Sequence, residues 1–165
     1  MTSREDVSIR PASPGEGALV LSLVRELAEY ERLAHEVDAT EAMLEAALFG
    51  PEARVFCDLA EVDGAAVGFA LWFRSFSTFR GRHGLYLEDL FVRPAYRGRG
   101  IGRALLVGLA RRCEAEGLPR LEWSVLNWNE PALRFYTSLG AEPMSGWTTH
   151  RLGGEALSRL AGEEA

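Results

Sequence analysis

The sequence predicts a mixed α/β domain built around one sheet. Three observations predict it. Short strand-like runs and amphipathic helical runs follow one another in the order β-α-α-β-β-β-α-β-α-β. Tight turn signals join the early strands, so hairpins come first and helical crossovers later. Of the 165 residues, 47% are apolar and 25% charged. That is the balance of a soluble globular domain long enough to bury a core, and it argues against disorder, a fibre or a membrane bundle.

Residues 7–10 form the first expected strand, closed by Pro11. Ser13-Pro14 opens a helix, since proline is tolerated in a first turn, and Leu19, Leu23, Leu27 and Tyr30 recur at helical spacing to about Leu33. Thr40 is the N-cap of a second helix, 41–49, which Gly50-Pro51 ends. Residues 55–62 alternate as a strand, Asp63-Gly64 marks a hairpin turn, and 67–73 is the partner strand. An aromatic loop, 74–84, carries Phe76 and Phe79. Residues 84–92 form a further strand, which Pro94 closes. Residues 101–116 form an amphipathic helix with Leu105, Leu109 and Cys113 on one face and Gly117 as C-cap. A strand at 121–125 follows. Asn129 then caps a helix at 130–139, stopped by Gly140, and a last strand at 144–152 precedes a short helix at 155–160. The expected organisation is one domain over 7–161, with a flexible start, 1–6, and a frayed tail, 162–165.

Asp and Glu total 24 and Lys and Arg 18, a formal charge of −6. Such a surface repels phosphate backbones and attracts a cationic substrate, so nucleic acid is not an expected partner. Two cysteines in a chain this long read as reduced thiols of a cytoplasmic protein. No leader-like apolar segment and no run of roughly 20 apolar residues stands out, so neither a signal peptide nor a membrane span is expected. His35, His83 and His150 lack metal-ligand spacing, and no metal is expected.

The segment Arg97-Gly98-Arg99-Gly100-Ile101-Gly102 lies between a strand and a helix. Glycines at alternate positions let a backbone approach a ligand closely, and the helix behind them offers free N–H groups and its positive dipole end. Arg97, Arg99 and Arg103 add positive charge. The loop suits a pyrophosphate. It is not a Walker loop, which needs Gly-Lys followed by Ser or Thr, nor a dinucleotide fingerprint, whose third glycine is replaced by Arg103. On these residues alone, a glycine-rich turn without a ligand stays open as the alternative.

That loop, preceded by Leu87-Glu88-Asp89-Leu90-Phe91-Val92, resembles the acetyl-CoA motif of the GNAT acetyltransferases, Arg/Gln-x-x-Gly-x-Gly/Ala, matched by Arg97, Gly100 and Gly102. Downstream, Asn127-Trp128-Asn129-Glu130-Pro131, Phe135-Tyr136 and Leu139-Gly140-Ala141 resemble that family's second cofactor motif. Tyr86-Leu87-Glu88-Asp89, Trp128-Asn129-Glu130-Pro131 and Glu26-Leu27-Ala28-Glu29-Tyr30-Glu31 are similar to the diamine (spermidine/spermine) branch, which includes enzymes for thialysine. The resemblance runs from Ile9 to about Leu152. It implies the GNAT fold: a single central mixed sheet of about six to seven strands, helices on both faces, and a splayed parallel strand pair holding acetyl-CoA. It implies that the main chain of Leu90, Phe91 and Val92 holds the pantetheine. Arg97, Gly98, Arg99, Gly100, Ile101, Gly102 and Arg103 would hold the pyrophosphate, and Asn129, Pro131, Ala132 and Tyr136 would flank the cofactor.

An alkylamine with a pKa near ~10.4 arrives charged at pH 7, so acetyl transfer needs a proton acceptor for it and a donor for the leaving thiolate. The resemblance gives these roles to Glu88, through a water, and to Tyr136. It places Tyr30, Glu31, Glu122, Trp123 and Ser124 around the acceptor amine, while Phe79, in a loop with Ser and Gly, is a candidate to line a channel for the alkyl stem or else packs in the hairpin. A backbone N–H at 90–92 would polarise the thioester carbonyl. The residues themselves allow plainer readings. Tyr136 lies at helical spacing from Ala132 and Leu139, as a core residue would. Tyr30 and Glu31 fit a solvated helix face, and Asn129 a simple cap. Strand alternation lets only one of Glu88 and Asp89 face a cleft, and the family match selects Glu88. Two departures bear on substrate. Glu122 stands where the polyamine enzymes tend to have histidine, and Met144-Ser145-Gly146-Trp147 lacks their acidic pair. The expected activity is acetyl-CoA-dependent N-acetylation of a small aliphatic amine by a homodimer. Acetylation of a protein or peptide, or CoA binding without turnover, are the alternatives.

Overall fold

A computed structural model describes residues 6–163. Residues 1–5 of the expected flexible start and 164–165 of the expected tail lie outside the described residues. Five strands, β1 (Val7–Pro11), β2 (Val55–Val62), β3 (Ala65–Ser77), β4 (Arg82–Val92) and β5 (Leu121–Trp123), form one sheet in the order β1-β2-β3-β4-β5. The first three pairings are antiparallel and β4–β5 is parallel, so the sheet is mixed, with hairpins before the crossover. β3 is central. Its residues 66–72 are buried without interruption, as a strand covered on both faces requires. The turn between β2 and β3 has Asp63 and Gly64 in the left-handed region, the conformation that lets a tight hairpin follow the strand twist.

Helices cover both faces. Val20, Leu23 and Leu27 of α1 (Gly17–Tyr30) and Leu48 of α2 (Glu41–Phe49) pack with Cys57, Leu59, Phe69, Leu71 and Phe91. On α3 (Ile101–Glu116), Arg112 lies 4.9 Å over the Trp72 ring. Leu71 and Trp72 are adjacent on β3 and point to opposite faces, so α3 covers the face that α1 does not. Thr40 caps α2, its Oγ1 accepting from Met43 N–H at 3.2 Å, and Gly117 closes α3 in the left-handed conformation. Both follow the expectation.

Three expectations are corrected. The first helix stops at Tyr30, three residues early. Arg32 turns left-handed (φ 62°) and Leu33 N–H bonds back to Ala28 C=O at 2.8 Å, a six-residue closure that ends the helix. The aromatic stretch 74–84 is mostly strand. The Phe73–Tyr86 and Phe76–His83 ring contacts across β3 and β4 carry the ladder out to Ser77 and Arg82. The strand at 144–152 does not form, so the sheet holds five strands among the described residues instead of six to seven. A strand needs a ladder partner. Here Trp147 N–H bonds to Met144 C=O in a turn, and residues 142–152 are exposed.

The chain divides into two compact units after Leu126. The first contains the sheet and α1 to α3. The second contains α4 (Glu130–Ser138) and α5 (Gly154–Ala161).

Candidate active site

β4 and β5 pair over only three positions, Leu85 with Leu121, Tyr86 with Glu122 and Leu87 with Trp123. β4 then runs on to Val92 with no strand paired on that side among the described residues. The edge from Glu88 to Val92 is open, which is the splay a ligand backbone needs if it is to lie along a strand. At the same point β4 bulges. Trp72 faces Leu87 and the next partner pair is Leu71 with Asp89, so Glu88 is the extra residue.

The bulge resets the alternation and sends Asp89 to the α1 face, beside Leu71. Burial pushes the Asp89 carboxyl up to about 7, helped by the negative charges of Glu88 and Glu31. Burial also raises Glu31, the residue that caps the C-terminal end of α1. Glu88 is exposed. Glu31, Glu88 and Asp89 thus share one electrostatic environment suited to a cation. Sequence reasoning missed Asp89, because alternation over an unbroken strand admits only one of the two carboxylates to the cleft and the family match chose Glu88. Two successive carboxylates inside the apolar run Leu85-Tyr86-Leu87-Glu88-Asp89-Leu90-Phe91 were the available signal of a bulge.

Beyond β4, Pro94–Tyr96 forms a 3-10 turn, and Gly98 and Gly100 follow with φ of 76° and 80°. A Cβ built on either glycine would meet no atom within 4 Å, so the loop borders open space. Gly100 caps α3 without a side-chain hydrogen bond, leaving the first-turn N–H groups to a ligand, while buried Ile101 anchors the helix start. Gly102 and Arg103 stand in that first turn. Arg99 donates to Ala95 C=O at 3.0 Å and lies 5.1 Å over the Tyr96 ring. These residues fit a phosphate-bearing ligand. Arg97 behaves differently. Its Nε donates to Val92 C=O at 2.7 Å, and its guanidinium lies 4.4 Å over Tyr30 and 5.6 Å from the Phe91 ring centre.

On β5, Glu122 is ion-paired to Arg120 at 2.8 Å; the strand ends at Trp123, two residues short of the expected 125, and just beyond it Ser124 Oγ lies 2.8 Å from the Tyr86 hydroxyl. Trp123 is opposite Leu87 in register. Leu90 is half-buried, and the Phe91 and Val92 side chains are buried, which leaves their main chain at the open edge. Phe79 is not brought to the carboxylates. It stands 99% exposed at the β3–β4 hairpin tip, and Glu88 lies six positions beyond Arg82, roughly 20 Å along the strand. In the second unit, buried Asn129 caps α4, its Oδ1 accepting from Ala132 N–H at 3.4 Å, with Pro131 in the first turn. Tyr136 is half-buried on α4, its ring 5.4 Å from that of Phe135. No group of three His, Cys, Asp or Glu suited to a metal occurs among the described residues. No helix among them is long and apolar enough to cross a membrane.

Residues 20–141 match the acetyltransferase (GNAT) family. The chain belongs to that family. This GNAT N-acetyltransferase is 39% identical to the thialysine N-epsilon-acetyltransferase of Bos taurus, covering 95% of this chain and 98% of that one. It is 28% identical to the L-ornithine N5-acetyltransferase of Arabidopsis thaliana, over 92% of this chain and 86% of that one. Among solved structures, an integron cassette protein from the mobile metagenome of V. cholerae superposes with a TM-score of 0.80 at 27% identity, covering 95% and 98% of the two chains. The GNAT fold expected from the two motifs is thereby borne out, with five strands in its mixed sheet among the described residues. Enzymes of this family use acetyl-CoA, and the open β4 edge and glycine loop of this member suit such a ligand.

Proposed function

We propose that this GNAT enzyme acetylates the primary amine of a small aliphatic amine, such as a diamine, a polyamine or a lysine analogue like thialysine, by direct attack in a ternary complex. The observation that carries the reading is Asp89, placed by the bulge beside Glu31 and Glu88. Three neighbouring carboxylates attract an ammonium group, and one of them exchanges its proton near neutral pH. Likeness to enzymes whose names specify thialysine and ornithine supports the same class of acceptor.

In this reading Asp89 and Glu31 receive the cationic amine. Its proton leaves through Asp89 and through Glu88, which passes it to a water at the exposed end of the pair. Bound acetyl-CoA supplies an acetyl thioester open to attack. Gly98, Arg99, Gly100, Ile101, Gly102 and Arg103 would hold its pyrophosphate, and the open edge of Leu90, Phe91 and Val92 its pantetheine arm. A main-chain N–H of that edge would be placed to donate to the thioester carbonyl oxygen. Tyr136 is assigned the proton donor to the sulfur that would leave, and Asn129, Pro131 and Ala132 would flank the cofactor. Trp123 and Ser124 border the acceptor. Glu122, paired to Arg120, contributes less charge to it.

A cytoplasmic homodimer completes the proposal. Exposed Met144, Trp147, Leu152, Leu157 and Leu160 on the second unit support an interface, and buried free Cys57 and Cys113 suit a reducing compartment. The test is CoA release from acetyl-CoA with thialysine, ornithine, putrescine, spermidine, an aminoglycoside and a peptide with a free N-terminus. Turnover of the aliphatic amines is expected. Turnover of the peptide alone would make the enzyme a protein acetyltransferase. Bound CoA without any turnover would make it a CoA-binding module.

A further inference from the structure

Two arginines leave the end of β4 and both turn back onto α1. Arg93 grips the Glu26 carboxylate with Nε at 2.9 Å and Nη2 at 2.7 Å, while its Nη1 donates to Ala66 C=O at 2.9 Å. Arg97, four residues on, donates from Nε to Val92 C=O at 2.7 Å and lays its plane 4.4 Å over Tyr30. Glu26 and Tyr30 are themselves four residues apart, so they sit one turn apart on one face of α1. The 3-10 turn Pro94–Tyr96 therefore carries a matched pair of contacts to a single helix face. The second contact falls on the last residue of α1, and Glu31 follows it directly.

We propose that Arg97 is a positioning residue for the amine acceptor and not a ligand of the cofactor's pyrophosphate: stacked on Tyr30 and bonded to the Val92 carbonyl, it holds the C-terminal end of α1, and Glu31 with it, against β4 where Asp89 stands. The inference rests on the proposed amine site. A ring contact fixes one face of the guanidinium and the Nε bond fixes its edge, so helix end and strand end are set relative to each other by one rigid plane. A lysine carries the same charge but has no plane to stack.

The experiment compares Arg97→Gln, Arg97→Lys, Tyr30→Leu, the Arg97→Gln/Tyr30→Leu pair and Glu31→Gln, using thialysine as acceptor and isothermal titration with CoA. Arg97→Gln is expected to raise the thialysine KM about fivefold, with the CoA Kd held within about twofold, the size of one lost cation–aromatic contact. Arg97→Lys should follow Arg97→Gln. Tyr30→Leu should raise the same KM, and the double variant should do little worse than the worse single variant, as partners in one contact do. CoA binding also reports that each variant is folded, and Tyr30→Leu, outside the loop, carries the test if Arg97→Gln does not fold. A CoA Kd weakened about tenfold in Arg97→Gln and restored by lysine, with thialysine KM unchanged, would return Arg97 to the pyrophosphate and overturn the proposal. Fully additive effects of Arg97→Gln and Tyr30→Leu would overturn it as well. Glu31→Gln separates the two levels. If it raises the KM and Arg97→Gln does not, only the positioning role falls. If it leaves the KM unchanged, the acceptor site at Glu31 falls and the role of Arg97 with it.

Discussion

Asp89 and Leu87 lie on opposite faces of β4 although they are two positions apart. In a regular strand they would share a face. The extra residue between them, Glu88, turns Leu87 toward the α3 side with Trp72 and Asp89 toward the α1 side with Leu71. The same three residues mark where β5 stops pairing with β4. One local irregularity therefore opens an edge for a ligand and puts a carboxylate on the face where Glu31 ends α1.

Asp89 should set the acid limb of the pH–rate profile. Its carboxyl is pushed up to about 7, so the ionised form that takes a proton accumulates as the pH rises through that value. The wild-type kcat/KM for thialysine is expected to climb through pH 7. Asp89→Asn should lose at least about tenfold in kcat/KM, together with that limb. Glu88→Gln should lower kcat and leave the limb in place. A limb that survives Asp89→Asn would move the proton acceptor elsewhere.

The same group should make the ligand-free protein less stable as the pH rises. A carboxyl raised from an ordinary value near ~4 to about 7 favours the folded state while it is protonated. That contribution is full below about pH 4 and is lost progressively up to about 7, because the unfolded chain ionises first. Asp89→Asn has no such loss. Urea unfolding should find the variant more stable than wild type by up to roughly 4 kcal/mol at pH 8 and no more stable at pH 4. Equal stability differences at both pH values would show that Asp89 is solvated in the folded state.

Tyr136→Phe should separate chemistry from binding. The substitution keeps the ring packed against Phe135 and removes only the hydroxyl. As proton donor to the leaving sulfur, that hydroxyl is worth about 10²–10⁴ in rate. Single-turnover kinetics should show a fall of that order, with the CoA Kd unchanged. An unaltered rate would remove Tyr136 from the mechanism and leave it as a packing residue.

Local signals were legible in the sequence. Thr40, Asp63-Gly64, Gly117 and Asn129 each made a cap or turn that depends on neighbours a few residues away, and each stands where expected. The glycine loop was legible for the same reason, since Gly98 and Gly100 adopt conformations that few other residues tolerate. What failed depended on distant partners. Residues 144–152 have strand composition but no ladder to join among the described residues, and composition does not reveal that. The direction of Arg97 was also hidden. Its place in a cofactor motif says nothing of the Tyr30 ring 67 positions earlier, which only the packing of α1 brings beneath it.

Gly100 offers the most direct test of the cofactor loop, because two different penalties can be told apart there. With φ at 80°, a β-branched residue is strained, and with open space around its Cβ position, a side chain meets no protein atom but would occupy the ligand's approach. Gly100→Val carries both penalties. Gly100→Asn carries mainly the second, since asparagine visits the left-handed region readily. If the loop receives the pyrophosphate, both variants should weaken CoA binding at least about tenfold by titration, while only the valine variant loses stability, by about 1–2 kcal/mol. Should the asparagine variant bind CoA as tightly as wild type, the glycine would be required for its backbone conformation alone, and the phosphates would lie elsewhere along the N-terminus of α3.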